Sequence, residues 1–229
     1  GRCRMGSLKT EERITKRTGL LKLALGTALI LGVAALGYQS WQSRPTSEAE
    51  IAEMEALIVA GKIDEARALM VSAQVRSKDP AALRLRIGRA YLKEGRIGPA
   101  TSLLSQVEGS LIKEESLAVA EYFLVSGDPF SAVRFFESAM RTGQPRTAPL
   151  LGRYAEALSL AGNGEGAVVV FRESLTRDPA KPRVRLNLAL TLANLGRLDE
   201  AAAEAQAVLK IEPSNLKALD LARALAAAR

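Results

Sequence analysis

The chain has 229 residues, is 48% hydrophobic but only 4% aromatic, and carries a formal net charge of +7 with no histidine. Without histidine the commonest general base and metal ligand are missing. The single cysteine, Cys3, can close no intramolecular disulfide, so residue supply excludes zinc sites, Cys–His nucleophiles and Ser–His–Asp triads. The positive charge does not point to nucleic acid, because it sits at one end. Residues 1–22 hold seven basic and two acidic side chains, whereas the chain from Ser47 onward holds 24 basic and 23 acidic ones. A nucleic-acid binder shows its basic excess on the folded domain.

Residues 1–19 form the basic tail, starting at Gly1 or Met5. Leu23 to Tyr38 comes next as sixteen residues without a charge. At ~1.5 Å per residue it reaches about 24 Å, short of the ~30 Å hydrocarbon core. Leu20 and Leu21 extend it on one side if Lys22 snorkels, and Gln39 to Trp41 extend it on the other. Tyr38 and Trp41 stand where an interfacial aromatic belt lies. Residues 20–41 therefore read as a transmembrane signal anchor; a signal peptide cleaved near Ala35-Leu36-Gly37 is the rival. Both readings keep the basic N-terminus in the cytoplasm and export the chain beyond residue 41. Residues 42–46, with Pro45, are a short linker.

Beyond the linker the sequence repeats. Pro182 to Asn215 reads as a helix–turn–helix unit of 34 residues, with Leu188, Ala189 and Leu192 on one face of its first helix. Leu195-Gly196-Arg197 makes the turn. Ala201, Ala205, Val208 and Leu209 line the second helix, which Glu212-Pro213 stops. The landmarks recur in register: Gly196, Gly162, Gly127, Gly95 and Gly61 at the turn, and Ala201, Ala167, Ala132, Ala100 and Ala66 just after it. Leu192, Leu158, Phe123, Tyr91 and Leu57 occupy one site near the end of the first helix. The units run 47–80, 81–112, 113–146, 148–181 and 182–215, with residues 216–229 as a capping helix. The second unit is short, and units two and three lack the terminal proline, so those joints are expected to bend differently. Gly162-Asn163-Gly164-Glu165-Gly166 comes after a helix and has no lysine behind it, which makes it a turn and not a phosphate loop.

The pattern NLA, L, LGRLDEA and VLKIEPSN resembles the tetratricopeptide repeat, and the resemblance covers residues 47–215. It implies an all-α fold: a right-handed superhelix of about five helical pairs and a cap, here preceded by one transmembrane helix. It also implies a protein-binding scaffold with no enzymatic activity, cofactor or metal. The expected partner is a peptide or helix of another protein, held in the concave groove of the first helices. Nucleic acid is not an expected partner, and homo-oligomerisation stays open. The architecture is similar to that of bacterial anchored repeat proteins, with the repeats on the periplasmic side of the inner membrane. A structural subunit that self-associates, or sits permanently in a membrane complex, is the alternative.

Family geometry then gives the groove residues. They are Leu85, Arg89, Leu92 and Lys93 from the second unit, Leu117, Glu121 and Leu124 from the third, Glu156 and Ser159 from the fourth, and Arg183, Leu186, Leu190 and Asn194 from the fifth. Ile51, Glu55 and Ile58 hold the matching places in the first unit, so the lysine–asparagine clamp that grips C-terminal carboxylates in some relatives is absent. Units two and three are expected to carry the main contact, with Arg89 and Glu121 fixing register between Leu85, Leu92, Leu117 and Leu124; the alternative is that these leucines pack against neighbouring first helices as core. Asn187 reads as an ordinary helix-face residue.

Overall fold

A computed structural model of the chain describes residues 44–227. The anchor segment read at 20–41 lies outside them; among the described residues no helix is long and apolar enough to cross a membrane. The described residues form eleven α-helices and no strand. They are α1 (Glu48–Val59), α2 (Ile63–Arg76), α3 (Pro80–Lys93), α4 (Ile97–Leu104), α5 (Lys113–Ser126), α6 (Pro129–Arg141), α7 (Ala148–Leu160), α8 (Gly164–Arg177), α9 (Pro182–Asn194), α10 (Leu198–Ile211) and α11 (Leu216–Ala227). A 3₁₀ segment, Ser105–Ser110, comes after α4. This is a tetratricopeptide-type helical repeat. The chain divides into two compact units, Gly1–Pro80 and Ala81–Arg229.

In the first unit, α1 opens on a capping box. The Ser47 N–H donates to the Glu50 carboxylate at 3.0 Å, and the Glu50 N–H donates back to the Ser47 hydroxyl at 3.3 Å. Arg76 on α2 donates to the same carboxylate at 2.8 Å. Together these bonds satisfy orphan donors at the helix start and fasten α1 to α2. Met54, Ile58, Ala66, Met70 and Ala73 form the buried layer between the two helices. Ile58 is therefore core, not groove, at 1% exposure.

Every pair turns in the same way, and the turn explains the sequence landmarks. The residue after each turn glycine donates its N–H five residues back along the chain. Lys62 reaches the Leu57 carbonyl (2.9 Å), Arg96 that of Tyr91 (2.8 Å), Asp128 that of Phe123 (2.9 Å), Asn163 that of Leu158 (2.9 Å) and Arg197 that of Leu192 (2.9 Å). Such a bond ends a helix by a left-handed residue, and Gly127 supplies it with φ +85°. The alanine five residues past each glycine is the fourth residue of the next helix and is fully buried: Ala66, Ala100, Ala132, Ala167 and Ala201 all have 0% exposure. Small residues on the facing helix complete the close approach. At Gly88 an added Cβ would stand 2.6 Å from the Leu104 Cδ2.

Phe135, Phe136, Phe171, Ile87, Leu104, Leu151, Leu188 and Leu192 are the largest fully buried side chains of the second unit. Phe123 stacks on Phe135 with ring centroids 5.7 Å apart. The short second repeat shows where the sequence lacked its stop signals. Helix α4 has only eight residues, and the 3₁₀ segment after it carries Val107 at φ −132°, ψ 33°, outside helical values. At the far end α11 packs Ala218 against Leu186 and Val208.

Candidate protein-binding groove

The first helices α5, α7 and α9 are cross-linked by a ladder of charges. Arg153 on α7 donates from Nε (2.9 Å) and Nη2 (2.7 Å) to Glu121 on α5. Its Nη1 donates to Glu156 one turn along its own helix at 3.0 Å. Glu156 is in turn 3.6 Å from Arg183 on α9. On α3, Arg89 donates through Nε to Glu115 of α5 at 2.6 Å, and Glu115 also accepts the Ile112 N–H at 3.1 Å. The Glu121 bond holds the Arg153 guanidinium above its ordinary pKa against the opposing effect of burial. Glu115 does the same for Arg89.

This ladder corrects the expected groove. Arg89, Glu121 and Glu156 are not free to orient a partner; they join neighbouring first helices. Leu124 and Leu186 are core residues, at 7% and 6% exposure. Each lies on the expected helix face but is covered, Leu186 by a layer that includes Val208 and Ala218. Leu85, Leu92 and Leu117 are half-buried, and Lys93 is exposed. The second repeat thus offers little open apolar surface on this face, while in the third Val125, at the place Leu160 takes on α7, is 79% exposed.

The opening lies between the fourth and fifth repeats. A hollow of about 280 Å³ is lined by Glu156, Ser159 and Leu160 of α7, Phe171 of α8, and Asn187, Leu190, Thr191 and Asn194 of α9. The α9 residues are spaced three, four and seven apart, which puts them on one helical face. Leu160 and Leu190 are exposed at its mouth, at 63% and 41%, while Phe171 is fully buried and closes its inner end. Of the residues read from the sequence as groove, the structure places Glu156, Ser159, Leu190 and Asn194 around this one hollow. It adds Asn187, read from the sequence as an ordinary helix-face residue, and Leu160, which was not singled out. Leu160 is the last residue of α7, one place past Ser159 on the same face; its repeat position was the available signal.

The hydroxyls here are already satisfied. The Thr191 O–H donates to the Asn187 carbonyl at 2.7 Å. Ser159 must therefore supply the proton in its 2.9 Å contact with Thr191. A second hollow, about 350 Å³, continues the same α7–α9 seam toward the helix starts; Gly152, Arg153, Lys181, Arg183, Val184 and Glu212 are among its lining. Its bare wall is Gly152, where a Cβ would come within 3.1 Å of Val184. Tyr154 on the buried side of α7 donates its hydroxyl to Glu137 at 2.8 Å. Burial first, and then that bond, raise its pKa well above the ordinary tyrosine value, so it remains a neutral donor. Among the described residues no cluster of acidic or sulfur side chains could hold a metal ion.

Comparison with known proteins agrees with this architecture. Residues 158–227, which hold most of the hollow's lining and α11, match the family model described as tetratricopeptide repeat. A curated relative, the Vi polysaccharide export protein VexE of Salmonella typhi, is 28% identical over 151 residues, covering 66% of this chain. The chain spans about a fifth (19%) of that relative's length. Among solved structures, the fold is similar to YrrB, described as a TPR protein with an unusual peptide-binding site. The TM-score is 0.55 at 15% identity, covering 82% of this chain and 95% of YrrB. It is also similar to MamA, with a TM-score of 0.50 at 15% identity, covering 75% and 94%. Tetratricopeptide repeats generally mediate protein–protein interactions.

Proposed function

We propose that this chain is a non-enzymatic scaffold that captures a segment of a partner protein between α7 and α9. We further assign residues 20–41 as an anchor in a bacterial inner membrane, with the repeats on the periplasmic side. The observation that carries the binding reading is the open hollow beneath Leu160 and Leu190 on the face shared by the first helices. Elsewhere on that face Leu85, Leu92, Leu117, Leu124 and Leu186 are at least half-buried, and Arg89 and Glu121 are cross-linked. Support for the anchor comes from the uncharged run after the basic tail and the Tyr38/Trp41 pair at its end.

A photo-reactive amino acid placed at Leu190 tests the binding reading in native membranes. The expected product is a discrete crosslinked partner that is lost when the reactive group is moved to Val169, which is exposed on α8. Equal products from both positions would sink the reading. For topology, a reporter fused after Arg229 that works only in the cytoplasm should stay silent, and activity there would reverse the orientation.

A further inference from the structure

We infer that the segment held between α7 and α9 is extended and uncharged, and that it places a leucine- or methionine-sized side chain in the hollow closed by Phe171. The inference rests on the proposed binding at the α7–α9 seam and adds the chemistry of the occupant.

Charge comes first. The hollow closed by Phe171 is lined by one charged side chain, Glu156, and that carboxylate already holds Arg153 and Arg183. Along the adjoining hollow Lys181 stands 3.1 Å from Asp178, while Glu212 has only the neutral Asn215 amide, at 2.7 Å. In the hollow closed by Phe171 a charged partner finds no vacant counter-ion and must displace a standing one. Exchanging one ion pair for another gains little at a surface and costs desolvation where the pair is half-buried. The hydroxyl protons of Ser159 and Thr191 are also committed, so they offer an anion no donor.

The open polar groups are of one kind. Among the described residues the side-chain amides of Asn187 and Asn194 have no partner. An amide offers two N–H donors and a carbonyl acceptor, which complements a peptide unit and no charge in particular. Seven residues along α9 is about 10.5 Å, or about three residues of extended chain. Both amides can therefore reach the backbone of one strand-like segment.

Size fixes the apolar part. Ligand pockets for whole small molecules run from ~300 to 1,000 Å³. At about 280 Å³ this hollow has room for one or two side chains. Its apolar wall is Leu160, Leu190 and Phe171.

The test uses the full chain in lipid nanodiscs and three short photo-reactive synthetic peptides. One alternates leucine with glutamine; in the others glutamate or lysine replaces the glutamine. The uncharged peptide should bind about tenfold more tightly than either charged one, a difference of about 1.4 kcal/mol. Its crosslinks should fall on α7 and α9, and Leu190→Ser and Asn194→Ala should each weaken it with no change in the thermal midpoint. Equal or tighter binding of a charged peptide at α7 and α9 overturns the occupant's chemistry and leaves the binding reading standing. Crosslinks elsewhere, or no binding of the uncharged peptide, also overturn the inference. The native-membrane crosslink at Leu190 then decides the binding reading on its own.

Discussion

Arg153 and Glu121 join two first helices from adjacent repeats, 32 residues apart, through two hydrogen bonds of 2.9 and 2.7 Å to one carboxylate oxygen. With Arg153 also bound to Glu156, one guanidinium spans α5 and α7. Its side chain is only 22% exposed and that of Glu121 38%, so solvent screens the pair in part. Arg153→Met should lower the thermal midpoint by a few degrees. A double-mutant cycle with Glu121→Gln should give a coupling of about 1 kcal/mol, at the upper end for a partly exposed pair. A coupling near zero would remove the ladder as a source of rigidity.

The buried alanines set the spacing within each helical pair. Ala167→Leu or Ala201→Leu inserts volume where exposure is 0%, and should destabilise by ~1–3 kcal/mol. Ala203→Leu, on the exposed side of α10, should shift the urea midpoint very little. Similar losses at all three sites would contradict this packing.

Two glycines should fail for different reasons. At Gly127, φ is +85° and an added Cβ meets nothing within 4 Å, so Gly127→Ala should cost ~1–2 kcal/mol through backbone strain alone. Gly127→Asn should recover part of that loss, because asparagine tolerates the left-handed region. At Gly88 the Cβ would clash with Leu104 at 2.6 Å. Gly88→Ala should therefore be rescued by Leu104→Ala, measured as a positive coupling in equilibrium unfolding.

Acid should loosen the first unit through Glu50. Its hydrogen bond from Arg76, helped by the Ser47 N–H, holds the carboxyl below its ordinary value of 4.5, with burial opposing. The folded pKa is thus lower than the unfolded one. The stabilisation is fully present above the unfolded value, and it is lost as pH falls below about 4.5 through the folded value. Glu50→Gln should flatten the fall in stability between about pH 5 and pH 3 relative to wild type. An unchanged slope would show that Glu50 contributes nothing to acid unfolding.

The repeat was legible because its landmarks have strict local causes. Only glycine enters the Gly127 turn without strain, and only a small residue fits at Ala201. What the sequence hides is depth. Leu124 and Leu186 share a helix face with exposed neighbours, and only the next layer decides that they are covered. The charge ladder was hidden by distance along the chain, yet it has a spacing. Arg153 and Glu121, Ser159 and Thr191, and Arg197 and Glu165 are all 32 residues apart. That is close to one repeat length, so a search for complementary side chains at this offset finds the contacts between neighbouring pairs. Helical periodicity within one unit cannot.

Leu186 and Leu190 give the sharpest separation of core from groove, because they are one turn apart on α9. Leu186 is 6% exposed and packs on Val208 and Ala218, so it belongs to the layer that joins α9, α10 and α11. Leu186→Ala leaves a cavity there and should cost about 2–5 kcal/mol, lowering the midpoint by many degrees. Leu190 is 41% exposed at the mouth of the hollow, and loses little packing when truncated. Leu190→Ala should leave the midpoint within about 0.5 kcal/mol of wild type, as exposed changes do. It should nonetheless weaken the crosslink to the partner segment. Leu160→Ala, at the opposite lip, should behave as Leu190→Ala does. A large stability loss at Leu190 would make it core, and would move the binding surface away from the α7–α9 seam.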